Sequence, residues 1–366
     1  MTIRERMLAA YRGDRPDQTP VAIYGRYLPR GSWERELRAL GLGIIDWHPV
    51  ASLLAPPWHP GEGYLSEVRG SDLQVDFGFE HGQKLETRTY RTPVGAISQR
   101  TVKDPGYGSD WAVEHYIKSI DDYRVMQYLV ENTVFRSGEQ TISARRAELG
   151  EDGVVFGRLD RSPYQKLLIE LAGPERLFED YLTTPSPVLA LLQAMEEKME
   201  EALSLIPGSS AEVIWQPENL TADMTPPRYF EKHCLPLYCR VADLLKGSGK
   251  LYAVHMDGRL GPLKALIAQS PFDVLESFSL PDVGGDMTLS EALAAWPDKA
   301  IVPNFPSSLC HGRSDRILAF LDAFLADGAT GRCCLLEISE DLPAGEYERV
   351  LRLACQHLAR HGRARE

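Results

Sequence analysis

The chain has no apolar run approaching the roughly 20 residues needed to span a bilayer, which argues against a transmembrane helix. Its opening stretch, MTIRERMLAAYRGDRPDQTP, lacks both an uninterrupted apolar segment and a small-residue cleavage site. It therefore reads as cytoplasmic, without a signal peptide or membrane partner. Positive charge is in short supply: 40 Lys and Arg stand against 52 Asp and Glu, for a formal charge of −12. That balance argues against nucleic acid, whose phosphates need a basic face. Cysteine is scarce and irregular, six residues without a C-x-x-C, and fits reduced thiols better than a disulfide framework. There is no internal repeat and no G-x-G-x-x-G after the first strand-like run, which removes the usual sign of an open dinucleotide-binding sheet.

What is present is a rhythm. Short β-rich runs at 211–217, 250–255, 273–279, 299–305 and 333–339 alternate with helical patterns at 226–247, 260–269, 288–296, 313–327 and 345–361. The strand-like runs are apolar on both faces, as in a parallel sheet covered on both sides. Upstream, 19–25, 43–47 and 153–160 read as three more strands, and helices are expected at 112–135, 163–172, 174–182 and 186–204. Between them LETRTYRTPVGAISQRTV alternates like a hairpin turning at Pro93-Val94-Gly95. Eight strands with intervening helices predict an α/β protein, a (β/α)8 TIM barrel with a hairpin excursion, in preference to an open doubly wound sheet.

In such barrels chemistry gathers at the C-terminal ends of the strands. Here those ends carry Arg26, Asp160, Glu218 with Asn219, His255 with Asp257, Glu276, Asn304 and Glu337. Five carboxylates and a histidine make little sense in a bare core, because buried charge without a partner is expensive. The set points to a metal, a proton-transfer centre, or both. Tyr24, Tyr27, Trp215 and Phe278 offer an aromatic mouth.

With those positions in view, the chain resembles the uroporphyrinogen decarboxylase superfamily, and in pattern its corrinoid-dependent methyltransferase branch. The resemblance is carried over nearly the whole chain, in order, by RERMLAAYRGDRPDQTPV, GRYLP (25–29), TPVGAISQRT, DWAVEHYIKSIDDYRVM, LAGPERLFEDYLTTPSPV, TPPRYFEKHCLPLY, HMDG (255–258), DMTLSEAL and GEYERVLRLACQHLARHGR. It implies a single barrel over 1–366 with a hairpin or lid insertion around 60–110. It also implies an enzyme moving a methyl group between a small substrate and a corrinoid held by a separate protein.

Carried onto these positions, the resemblance implies a divalent metal, zinc first, on His255, Asp257 and Glu337. Asp257, Arg26 and Glu218 would be catalytic, and Arg26, Tyr27, Asp160, Tyr164, Asn219, Glu276 and Asn304 would contact substrate. Zinc-bearing relatives end the 250–255 strand in H-x-C; here the thiol position is Asp257, which makes a harder donor set less suited to a thiol substrate. The decarboxylases read RQAGRYLP where this chain reads AIYGRYLP, keeping Arg26 and losing the other arginine. A cofactor-free decarboxylase acting on a carboxylated substrate is the alternative activity, and a homodimer is compatible with either. Structural readings compete at several positions. Asp257 suits an N-cap for a helix near 260, Glu218 and Glu337 suit neutralising rim arginines such as Arg259, and Tyr164 suits packing as well as substrate contact. Cys333 and Cys334 suit a buried strand.

Overall fold

The computed structural model of the chain describes residues 1–28, 31–54, 66–103, 110–328, 335–343 and 345–363. These fall into two compact units, one built from Met1–His48, Glu139–Arg158 and Ser209–Glu366, the other from Pro49–Gly138 and Leu159–Gly208. Strands are numbered along the chain. The first unit opens with β1 (Val21–Tyr24) and β2 (Leu42–Pro49). The second holds β3 (Ser66–Val68), β4 (Asp72–Glu80), β5 (Gln83–Thr92), β6 (Gly95–Lys103), β7 (Trp111–Glu114) and β8 (Thr133–Phe135). The chain then returns to the first unit with β9 (Gly153–Arg158), β10 (Val213–Gln216), β11 (Leu251–His255), β12 (Val274–Phe278), β13 (Ala300–Pro303) and β14 (Leu336–Ile338).

The eight strands of the first unit form one parallel sheet in the order β13-β12-β11-β10-β9-β2-β1-β14. Its two ends meet, because Asn304, just past β13, bridges Glu337 of β14, and the Phe305 amide donates to the Glu337 carbonyl at 2.7 Å. With flanking helices this is a (β/α)8 barrel, as the sequence rhythm predicts. Alternate side chains fill the interior, Ala22 and Tyr24, Ile45 and Trp47, Val154 and Phe156, Val213 and Trp215 among them, with Ala253, Val274, Ala300, Val302 and Leu335. The same cluster takes in Met7, Leu8, Ala10 and Tyr11 of the first helix, α1 (Ile3–Arg12), and the Tyr11 ring meets Phe156 edge-on at 5.6 Å. That helix is capped at both ends. Thr2 Oγ1 accepts from the Glu5 amide and Glu5 accepts from the Thr2 amide, and Gly13 ends it in a left-handed conformation.

The second unit contains the expected hairpin, with β5 and β6 turning at Pro93-Val94 and Thr92 facing Gly95. It is larger than expected. β4 and β7 flank the hairpin in a four-stranded antiparallel sheet, and β3 pairs with β8. The helix predicted over 112–135 begins only at Ile120, capped by Ser119 with Asp122, because Trp111–Glu114 pairs with β6 as a strand. Apolar residues two apart, Trp111 and Val113, carry the strand period there and mimic one turn of a helix in so short a run. The 226–247 helix is interrupted by a π turn at Phe230–Cys234, and helices at Ser32–Ala39 and Glu139–Leu149 lack a legible signal of their own. Cys333 and Cys334 lie outside the described residues. Among the described residues no helix is long and apolar enough to cross a membrane.

One glycine sets how closely two barrel strands approach. A Cβ on Gly153 would stand 2.0 Å from the Ile44 carbonyl oxygen and within 3 Å of that residue's backbone C and N, none of which can swing away. Gly153→Ala is therefore expected to cost about 3 kcal/mol or more, at the upper end for overpacking, read as a lowered urea midpoint with unchanged slope.

Candidate active site

The site follows from strand parity. On β11 the inward positions are 251, 253 and 255, so His255 points into the barrel end, whereas Tyr252 turns outward against Tyr238 and toward Gln216. On β12 the same alternation sends Glu276 inward, directly opposite His255 in the register. Glu276 is fully buried and accepts three hydrogen bonds: from Tyr24 Oη at 2.5 Å, from Trp215 Nε1 at 2.8 Å and from His255 Nδ1 at 2.6 Å. The other imidazole nitrogen, Nε2, faces Asp257 Oδ2 at 3.4 Å. Asp257 is partly exposed and is held by Asn219 Nδ2 at 2.9 Å.

Two of the four non-glycine residues with positive φ among the described residues belong to this rim, Asn219 at 50° and Ser277 at 58°. Such conformations persist only where their surroundings hold them. Asn219 is held by Asp257, and Ser277 by a 2.6 Å contact with Ser339 Oγ beside a register shift in β12.

Burial alone would push the His255 pKa down. The charges of Glu276 and Asp257, with their hydrogen bonds, outweigh it and raise the group to about 10, so the ring is an imidazolium at neutral pH. Burial would raise Glu276 as well, yet the imidazolium and its hydrogen bonds hold it below the usual value. Glu337 takes the opposite course. Burial, and then the charge of Glu276, push it well above the usual carboxylate range and favour its protonated form. The Glu337 carboxyl is within hydrogen-bonding reach of Glu276, Tyr24 and the Ser277 backbone, whereas Tyr11 Oη and Asn304 Nδ2 find no partner among the described residues. Asn304 Oδ1 accepts from the Ser339 amide at 3.1 Å.

Not every residue marked by the sequence joins this cluster. Glu218 is fully buried and acts on the Tyr238 and Tyr252 hydroxyls. Asp160 and Tyr164 belong to the second unit. There Asp160 accepts from the Leu53 amide at 2.5 Å and pairs with Lys166 Nζ at 3.2 Å, while Tyr164 is buried. Asp257 does not cap the following helix, whose 3-10 turn starts at Gly261 and whose α segment starts at Lys264. Arg26 is exposed, with its guanidinium 4.7 Å from the Tyr27 ring centre and 6.0 Å from that of Trp47, and Tyr27 stacks on Tyr24 at 6.1 Å.

The expected metal trio does not come together. His255 and Asp257 face each other, but Glu337 stands with Glu276 inside the barrel. Among the described residues no three His, Cys, Asp or Glu side chains are placed to hold an ion. The His255–Asp257 pair supplies two donors, short of the three protein ligands of an ordinary catalytic zinc.

Sequence reading by strand ends missed Arg158. It occupies the next inward position after Val154 and Phe156 on β9, level with Trp215, and its guanidinium lies 5.6 Å from the Trp47 ring centre. The alternation within GVVFGR carries the signal.

No protein-family model matches this chain, and no curated protein matches it in sequence. Among solved structures, a methyltransferase from Methanosarcina mazei is similar in fold, with a TM-score of 0.57 over 98% of this chain and 98% of its own, at 14% identity.

The two buried glutamates should respond differently to neutralisation. Glu276→Gln removes a charge that three donors converge on and is expected to cost about 3 kcal/mol or more, whereas Glu337→Gln replaces an already neutral acid and should stay within about 1 kcal/mol, both read by urea unfolding. The imidazolium gives a pH signature. Its folded pKa of about 10 lies above the unfolded value near 6.5, so its stabilisation is complete below about pH 6.5 and is lost as pH rises toward 10. Unfolding free energy should decline by several kcal/mol across that window, and His255→Gln should flatten the decline.

Proposed function

We propose that this chain is a methyltransferase-like enzyme that moves a methyl group between a small substrate and a corrinoid carried by a separate protein. The observation that carries the reading is the posture of His255. Its Nδ1 is fixed on Glu276 and its Nε2 is turned toward Asp257 at the end of a barrel strand, where such barrels do their chemistry. The fold's likeness to a protein named as a methyltransferase supports it.

The corrinoid, when its carrier is docked, supplies the nucleophile that takes the methyl group. The chain's own part is the proton. As the bond between methyl carbon and heteroatom breaks, its electron pair stays on the heteroatom, and His255 Nε2 donates a proton to it. Glu276 holds the ring so that Nε2 is the nitrogen presented to the rim, and Asp257 stabilises the charged ring until transfer. Solvent then restores the proton by way of the partly exposed Asp257. Among the described residues the side chains implied as metal ligands do not converge, and the proton chemistry falls to the chain's own groups.

One observation favours cofactor-free decarboxylation as a second reading: the guanidiniums of Arg26 and Arg158 both lie at Trp47, on the same barrel as the His255 cation. There the same histidine would protonate the carbanion left by carbon dioxide.

The deciding experiment incubates the protein with O-methyl, N-methyl and S-methyl compounds and cob(I)alamin, and follows the corrinoid spectrum. Methylation that falls by about 10²-fold or more in His255→Gln is expected. Release of carbon dioxide from a carboxylic acid, with no change in the corrinoid, would reverse the ranking.

A further inference from the structure

The two edges of the antiparallel sheet in the second unit are built differently. At one edge β7 has four residues, a register shift against β6, and Glu114 tied to Arg100 at 2.7 Å. Short length, a bulge and charge are devices that keep an edge from pairing. At the other edge β4 has nine residues, DLQVDFGFE, without lysine, arginine or proline, in unbroken register with β5. Its Phe77 is 59% exposed and its Phe79 80%. Both lie on one face of the strand with Leu73 and Val75, whereas Asp72, Asp76 and Glu80 take the other. Glu80 is held by Arg100, and Asp76 accepts from Gln74 Nε2 at 2.8 Å. The phenylalanine face carries no acid of its own strand, and the Lys84 ammonium lies 4.7 Å from the Phe77 ring centre.

The hairpin fixes which backbone groups of β4 look outward. β4 and β5 join through His81 and Gly82, both with positive φ, and Glu80 pairs with Gln83. A two-residue loop of this kind makes the flanking pair hydrogen-bonded, and the bonding alternates from there. The even residues of β4 therefore bond to β5, and the amides and carbonyls of Leu73, Val75, Phe77 and Phe79 point out of the sheet. Among the described residues no strand lies beyond them. Two copies related by a two-fold axis would pair these edges antiparallel, and the sequence selects where the axis falls. At Gln74 it sets Asp72 against Asp76, at Asp76 it sets that acid against its own copy, and at Gly78 it sets Asp76 against Glu80. Like charges directly opposite are destabilising. At Val75 it leaves Phe79 beyond the end of the partner strand. At Phe77 it sets Phe77 on Phe77, Val75 on Phe79, Asp76 on Gly78 and Glu80 on Gln74.

We propose that β4 is a self-pairing edge, and that two copies of this chain join through it about a two-fold axis at Phe77. The two four-stranded sheets then become one continuous sheet, and Val75, Phe77 and Phe79 of both copies form one apolar stripe. Backbone hydrogen bonds supply the affinity, and the stripe with the acid spacing sets the register. A single strand pair is small beside the roughly 1,200 Å² at which standard interfaces begin, so the dimer is weak and depends on concentration.

The test needs neither substrate nor corrinoid, so its outcome is independent of the proposed activity. The full chain is sedimented under reducing conditions at concentrations from low to high micromolar, and a monomer–dimer equilibrium is expected. Phe77→Lys sets two ammonium groups face to face at the axis and should weaken the dimer by at least about tenfold. Because Phe77 is exposed, the variant should keep the urea midpoint of the dilute, monomeric chain. Phe79→Lys stands in if it does not. Oxidation then reads the register against the background of the unsubstituted chain. Phe77→Cys should cross-link to itself, since Cα atoms paired in this way lie about 5.5 Å apart, within disulfide reach. Val75→Cys should not cross-link to itself but should do so when mixed with Phe79→Cys. A chain that is monomeric at every concentration, or a dimer that survives Phe77→Lys and Phe79→Lys unchanged, overturns the proposal. Self-cross-linking of Val75→Cys in preference to Phe77→Cys overturns the axis.

Discussion

A carboxylate inside a barrel has to be answered by donors, and Glu276 is answered by three, one each from β1, β10 and β11. An ionised carboxyl removed from water without partners would be far too costly to keep, so the neighbouring side chains are not free to be ordinary core residues. Tyr24 and Trp215 are aromatics with a polar tip, and the tip is what that place in the barrel requires. His255 has to be charged, because the hydrogen bonds of neutral groups alone leave the anion poorly compensated. Once the imidazolium and Glu276 are paired, a second anion beside them is unfavourable, and Glu337 takes up a proton instead. The chemistry attributed to the rim depends on this one satisfied charge.

The barrel was legible because its strands announce themselves. Apolar runs such as KLYAVH and KAIVPNF, spaced by helical patterns, leave few other architectures, and the strand limits agree to within a few residues. The site was legible in outline only. HMDG marked a rim, but sequence position does not say which face a residue takes once the strand has ended. Glu218 lies two residues past β10 and turned to the Tyr238 side of the sheet, and Asp160 lies two residues past β9 in the other unit. Inside a strand the period of two is reliable, which is why Glu276, His255 and Arg158 can all be placed by counting. Glu337, which strand position alone puts at the rim, is an interior residue, 0% exposed. β14 ends one residue later, at Ile338, yet Asn304 and Glu337 lie side by side within the barrel wall.

The wall itself is unevenly joined. Seven of its boundaries are strand pairs, while at the eighth, between β13 and β14, the described residues show one bridge, at Asn304 and Glu337, with the Phe305 amide on the Glu337 carbonyl and the Ser339 amide on Asn304 Oδ1. One residue thus serves two purposes: its backbone is the clasp of the cylinder and its side chain is the uncharged half of the carboxyl pair. Among the described residues that boundary is the most lightly joined of the eight. Were that boundary to open, hydration of the pair would remove the burial that keeps Glu337 protonated and let it ionise beside Glu276. The resulting repulsion would act to widen the gap further, so that breathing of the wall and the charge state of its interior rise and fall together.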